Sequence, residues 1–124
     1  MKLFLIFLLA FILLFVNSVF ACDIYINSLS YNITQNNTYY CLNTSSTNLA
    51  GTAIQFGNSS SWVIQNSSLD CQGNNLDGDS SGTDYGVYMT NSNTKKNTVN
   101  NCTITDFYEG IYLYNGPNNN TLKN

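Results

Sequence analysis

The sequence predicts an all-β chain folded as a solenoid of about three to four stacked coils. Three observations carry that expectation. Short apolar stretches recur in step, 23–24 residues apart in the regular unit and 33–35 apart in one longer unit. Within each stretch, apolar residues alternate with polar or tyrosyl ones at period two, the pattern of a strand. Each stretch then runs into Asn or Gly, which accept left-handed backbone at low cost and so turn corners.

The first element in chain order is a leader. Lys2 supplies the charged start, Leu3 to Val16 is an unbroken apolar run of fourteen residues, and Val19-Phe20-Ala21 offers a cleavage site. Residues 1–21 are therefore expected to form a helical secretory signal peptide, and residues 22–124 the mature domain. An uncleaved membrane anchor is the rival reading, but the run is shorter than the roughly 20 residues that span a bilayer. Cleavage after Ala21 leaves Cys22 first, the position that bacterial lipoproteins acylate. Contact with a membrane is expected only through the leader or an acylated Cys22.

The repeats follow. Ala53-Ile54-Gln55-Phe56, Gly86-Val87-Tyr88-Met89 and Gly110-Ile111-Tyr112-Leu113 share one pattern, with Asn58, Asn91 and Asn115 close behind. Val63-Ile64-Gln65-Asn66 is answered by Thr98-Val99-Asn100-Asn101 and Thr121-Leu122-Lys123-Asn124, and Leu69 by Ile104. The middle unit is expected to carry an insertion of about ten residues between Gly73 and Asp84. Stacking would place Ile54, Val87 and Ile111 in one buried column, and Ile64, Val99 and Leu122 in another. At roughly 1.5–3 kcal/mol per buried large apolar side chain, a coil gains about 10 kcal/mol, and ordering its backbone consumes most of that. Coils must therefore stack to be stable. An antiparallel β-sandwich would explain the strands but not residues recurring in register.

The segment Leu69-Asp70-Cys71-Gln72-Gly73-Asn74-Asn75-Leu76-Asp77-Gly78 resembles a first-coil segment of right-handed parallel β-helix proteins of the pectin-lyase-like superfamily, including the NosD-type family. Asn101-Cys102-Thr103-Ile104 and Gly110-Ile111-Tyr112-Leu113-Tyr114-Asn115 resemble its standard coil, and Ile33 to Tyr40 its lead-in strand. The resemblance covers about residues 29–124. It implies a right-handed parallel β-helix and leaves function open, because the superfamily holds lyases, hydrolases, adhesins and surface proteins alike. Its lyases use a Lys or Arg base with calcium-binding acids, whereas Lys95, Lys96 and Lys123 fall on expected turns or at the chain end. Asn120 to Asn124 opens another coil without a polar cap, so the domain is expected to be C-terminally incomplete.

Charge narrows the partners. Only 9% of residues are charged, all four cations are Lys, and there are seven acids. With Lys2 in the leader, three Lys face seven acids, a balance of −4. Nucleic acid, which needs clustered cations, is not expected as a partner. No His is present, so the sequence has no His general base, Ser-His-Asp triad or His-ligated metal site.

Four cysteines in an exported chain read as disulfides. Cys41 follows the Tyr39-Tyr40 strand and Cys71 follows Leu69-Asp70, so a Cys41–Cys71 bridge between neighbouring coils is expected, with Cys71–Cys102 as the rival. Cys22 and Cys102 stand too far apart in coil order to pair. Sequons at Asn32, Asn36, Asn43, Asn58, Asn66, Asn101 and Asn119 are acceptors for N-glycosylation where the host provides it.

Tyr88, Tyr112 and Tyr114 alternate outward on adjacent coils and are the candidate carbohydrate contacts, since aromatic faces suit the apolar C–H faces of sugars. Ordinary cross-strand stacking is the alternative. Asp77, Asp79 and Asp84 partly match a calcium loop, with Gly82 at position six but Tyr88 where a bidentate Glu belongs. A solvated loop is the plainer reading, and no cofactor is expected beyond that weak Ca²⁺ alternative. Asp106 and Glu109 stand three apart, a pairing that glycoside chemistry could use and that solvated turns also produce. No catalytic residue is assigned. The expected function is an exported cell-surface module with a structural or weak glycan-binding role. The alternative is the N-terminal part of a polysaccharide lyase or glycoside hydrolase whose catalytic coils are absent.

Overall fold

The computed structural model describes residues 21–57 and 63–123. The leader through residue 20 and the sequon at Asn58 lie outside these residues. Eleven short strands follow one another among them: β1 (Ile24–Ile26), β2 (Tyr31–Ile33), β3 (Tyr39–Leu42), β4 (Ile54–Phe56), β5 (Ser68–Asp70), β6 (Asn75–Asp77), β7 (Tyr85–Thr90), β8 (Thr98–Asn100), β9 (Thr103–Thr105), β10 (Glu109–Tyr114) and β11 (Thr121–Lys123). The described residues contain no helix, so the chain is all-β as expected.

The strands form three sheets, ordered β1-β3-β5-β8-β11, β10-β7-β4-β2 and β6-β9. Every pairing is parallel. Parallel neighbours need a crossover between them. Here that crossover is the chain's own passage through the other sheets, for from β4 onward it visits the second, first and third sheets in rotation.

Register fixes the core. Ile54 pairs with Val87 and Val87 with Ile111, so the first expected column stands on adjacent parallel strands. Ile54 and Val87 are fully buried. The second column differs from expectation. Tyr40, Leu69, Val99 and Leu122 stand in line, and Leu76 pairs with Ile104. Ile64 is buried but lies on the corner ahead of β5. The two stretches look alike because Asn66 and Asn101 each follow an apolar stretch and both take left-handed backbone, φ 56° and 54°. Asn66, however, opens β5 and Asn101 closes β8.

The expected ten-residue insertion between Gly73 and Asp84 is also redistributed. The interval is 33 residues from Ile54 to Val87, 30 from Leu69 to Val99 and 28 from Leu76 to Ile104, then 24 from Val87 to Ile111 and 23 from Val99 to Leu122. The extra length is shed stepwise at several corners. Ladder hydrogen bonds fix the strands and leave the corners free to differ.

One corner is built from polar side chains. Asn37, Asn66, Lys96 and Asn119 repeat there in left-handed backbone, with φ of 54–58°. The residues that follow point inward. Ser67 and Asn97 are wholly buried. Asn97 Oδ1 accepts from the Ser67 amide at 3.0 Å, its Nδ2 donates to the Ile64 carbonyl at 2.8 Å, and Asn120 Oδ1 accepts from the Asn97 amide at 2.9 Å. The bonds to the Ser67 and Asn97 amides satisfy backbone donors that the corner would otherwise leave unpaired, and the Ile64 carbonyl also accepts from the Lys95 amide at 3.1 Å.

The disulfides correct the sequence expectation. Cys22 is bonded to Cys41 and Cys71 to Cys102, with Cα separations of 5.7 and 4.9 Å. Cys41 is in register with Asp70 rather than with Cys71. Cys71 lies one residue beyond β5, and its sulfur is bonded to Cys102 while that of Cys41 is bonded to Cys22, so the expected Cys41–Cys71 bridge is not formed. Cys71 belongs to the buried core, and Cys102 packs against it. The Cys22 sulfur is committed to Cys41 in this structure, so acylation there would require that bond to be absent. Two disulfides suit an oxidising, extracellular setting.

Candidate functional site

The outward face of the β4-β7-β10 sheet carries the sequence-predicted tyrosines. Gln55, Tyr88 and Tyr112 stand in register, and Thr90 pairs with Tyr114. The structure brings Tyr88, Tyr112 and Tyr114 together. Ring centroids lie 5.8 Å apart for Tyr88 and Tyr112, at an interplanar angle of 14°. Tyr112 and Tyr114 are 6.0 Å apart and tilted by 30°.

A fourth ring completes the cluster. Tyr85 stacks on Tyr112 at 4.6 Å and on Tyr88 at 5.1 Å. Sequence alternation puts Tyr85 on the same side as Val87, inside the core, so it was not expected here. The alternation breaks because Gly86 and Val87, consecutive in β7, are both buried. A Cβ on Gly86 would collide with Ile104 Cγ2 and the Gly110 carbonyl. The glycine lets the backbone turn inward for two residues, and Tyr85 is left on the outer face. A Gly ahead of Val-x-Met was the only sequence signal for this.

The ring planes of Tyr85, Tyr88 and Tyr112 are nearly parallel, so much of their faces is spent on one another. Tyr114, at the rim, is 54% exposed and offers the freest ring. The rings are held by mutual packing, so a ligand need not order them, and less affinity is lost to freezing side chains. Burial, and then the neighbouring Tyr112 and Glu109, push the Tyr85 phenol above its ordinary pKa.

Glu109 pairs in register with Tyr85, at the head of β10. Asp106 sits on the preceding corner in left-handed backbone, φ 56°. Asp106 also lines a hollow of about 300 Å³ with Ser80, Ser81, Gly82, Phe107 and Tyr108. A second, more apolar cleft of about 500 Å³ lies between Val99, Ile104, Ile111 and Leu122, beside the β10 and β11 edge.

The acidic loop is not gathered into a site. Asp77 accepts from the Thr105 hydroxyl at 2.6 Å and the Asn48 amide at 3.2 Å. Those two bonds hold its carboxyl below the usual range. Asp79 accepts from the Ser81 amide and Asp84 from the Gly51 amide. Each carboxylate closes a separate turn or corner, and the described residues contain no group of three acids, Cys or His that could hold a metal.

Of the sequons, Asn32, Asn36, Asn43, Asn66, Asn101 and Asn119 are all exposed. Asn43, Asn66 and Asn101 spend their Nδ2 on Asn27, Asn37 and Asp70, which lie 16, 29 and 31 residues earlier in the chain. Asn32 sits outward on β2, in register with Gln55, on the same face as the tyrosines.

Comparison with known proteins gives no match: no family model matches the sequence, and no curated protein or solved structure does so.

Proposed function

We propose that this chain is an exported, right-handed parallel β-helix module of the pectin-lyase-like kind, displayed at the cell surface, whose tyrosine cluster makes weak contacts with glycans. The coil reading is supported by the rotation of the chain through three parallel sheets at 23–33 residues per turn. Export is supported by the two disulfides and by the leader-like start of the sequence. The single observation that carries the glycan reading is the four-ring cluster on the outer sheet face, with Tyr114 at its open rim.

Rings packed this way present C–H edges, phenol groups and one open face. Sugars, with alternating C–H and hydroxyl surfaces, can use all three. Titration of the exported protein with neutral oligosaccharides, followed by tyrosine fluorescence and calorimetry, tests the reading. Saturable binding is expected, and Tyr114→Ala should weaken it roughly 2- to 10-fold, the value of one aromatic contact. Absence of binding at millimolar oligosaccharide would defeat it.

A further inference from the structure

The tyrosine cluster has a charge as well as a shape. Glu109 stands in the column directly beside Tyr85, one strand spacing away, which is about 4.8 Å in a parallel sheet. It is close enough to act on the Tyr85 phenol. The strands that carry the cluster, Tyr85–Thr90 and Glu109–Tyr114, contain no Lys. Lys95 and Lys96 lie on the corner between β7 and β8, and Lys123 is on β11 of a different sheet. A ligand lying across these rings thus meets one carboxylate and no cation from the strands beneath it.

We infer that the cluster selects glycans without carboxylate or sulfate groups, and takes amine-bearing sugars in preference to uronates. The inference rests on the glycan reading above and adds the class of sugar. A ligand carboxylate held over the Tyr85 ring lies over the column next to Glu109, one strand spacing of about 4.8 Å away. That distance is shorter than the roughly 8 Å Debye length at physiological salt, so screening does not remove the repulsion. One unit charge at about 6 Å, in surroundings between water and protein surface, changes affinity roughly 3- to 10-fold. An ammonium group in the same place gains a similar factor.

The test is calorimetric titration of the exported protein with three hexasaccharides: a neutral glucan, a glucosamine oligomer and a galacturonate oligomer. The expected order of affinity is glucosamine, then glucan, then galacturonate. Glu109→Gln should raise the ratio of galacturonate to glucan affinity roughly 3- to 10-fold. Salt at 1 M, where the Debye length is about 3 Å, should compress the same ratio in the parent protein. Galacturonate binding as tight as glucan binding, or a ratio that Glu109→Gln leaves unmoved, overturns the charge selection while the glycan reading stands. Failure of all three to bind overturns both.

Discussion

The phenol of Tyr39 donates a hydrogen bond to Asp70 Oδ2 at 2.8 Å, from β3 to its neighbour β5. The other oxygen of Asp70 accepts from the Gln72 amide at 2.8 Å and from Asn101 Nδ2 at 3.1 Å. Partial burial by itself raises the Asp70 pKa. The bonds from Gln72, Tyr39, Asn101 and Asn100 together outweigh it and leave the group below its ordinary value.

A sign follows for acid stability. A carboxyl with a lowered folded pKa contributes stability above its unfolded pKa, roughly 3.9 for Asp, and loses it as pH falls through the folded value. Asp70→Asn should therefore flatten the fall of Tm below about pH 4. Thermal melts between pH 2 and pH 7 check this, and an unchanged acid limb would remove Asp70 from the account. Tyr39 acts in the opposite sense. Its hydrogen bond to Asp70 raises its pKa, so its contribution holds below about pH 10 and fades as pH rises further.

Gly86→Ala should destabilise the domain by about 1–3 kcal/mol, the cost of overpacking a core. The new Cβ meets the Gly110 carbonyl as well as a side chain, and backbone on a paired strand yields less readily than a rotamer. The same variant should disturb the Tyr85 ring. Urea unfolding with near-ultraviolet dichroism reads both effects, and a neutral result on both would mean that the strand does not turn inward here.

Asn97→Ala should cost about 2–4 kcal/mol. The side chain is wholly buried, accepts from the Ser67 amide and donates to the Ile64 carbonyl. Its removal strands the buried Ser67 amide and leaves a cavity, while the Ile64 carbonyl keeps the Lys95 amide at 3.1 Å. Asn97→Asp keeps the acceptor, loses the donor and buries a charge, so it should be at least as costly. Chemical denaturation of the three proteins ranks them.

Non-reducing peptide mapping of the protein purified under oxidising conditions should yield Cys22–Cys41 and Cys71–Cys102 peptides, closing 19- and 31-residue intervals. Each bond should be worth roughly 3–4 kcal/mol in the loop-entropy account. Replacing Cys71 and Cys102 together by Ala should lower stability by about that amount. A Cys41–Cys71 peptide would contradict both bonds.

The sequence made some of this legible and hid the rest for identifiable reasons. Ile54, Val87 and Ile111 were readable because each sits in a Gly- or Ala-led apolar–x–apolar triplet, and a parallel ladder keeps such triplets aligned. Ile64 was misplaced because an Asn that opens a strand and an Asn that closes one look the same in one dimension. The cysteine pairing failed on one residue of register. Cys41 is on β3 opposite Asp70, whereas Cys71 lies just past the end of β5, and spacing along the chain could not tell the two positions apart. Tyr88, Tyr112 and Tyr114 came from alternation, which Tyr85 evades because two buried residues in succession reset the count. Asp77, Asp79 and Asp84 have the spacing of a calcium loop, but the Asn48, Ser81 and Gly51 amides that bind them could not be read from spacing alone.

The stepwise shortening of the interval between paired strands, from 33 to 23 residues, has a consequence for how such a chain can change. Length varies only at corners, and the ladder re-registers after each one, so a corner can be rewritten without moving the columns on either side. Lengthening an already flexible loop is cheap: each doubling costs only about 0.6 kcal/mol of closure entropy. The stretch from Ser80 to Thr83 runs into Tyr85 along the chain and lies outside the paired strands. It is a natural graft point, where inserted residues could be tried for new specificity while the strands below hold the tyrosines in place.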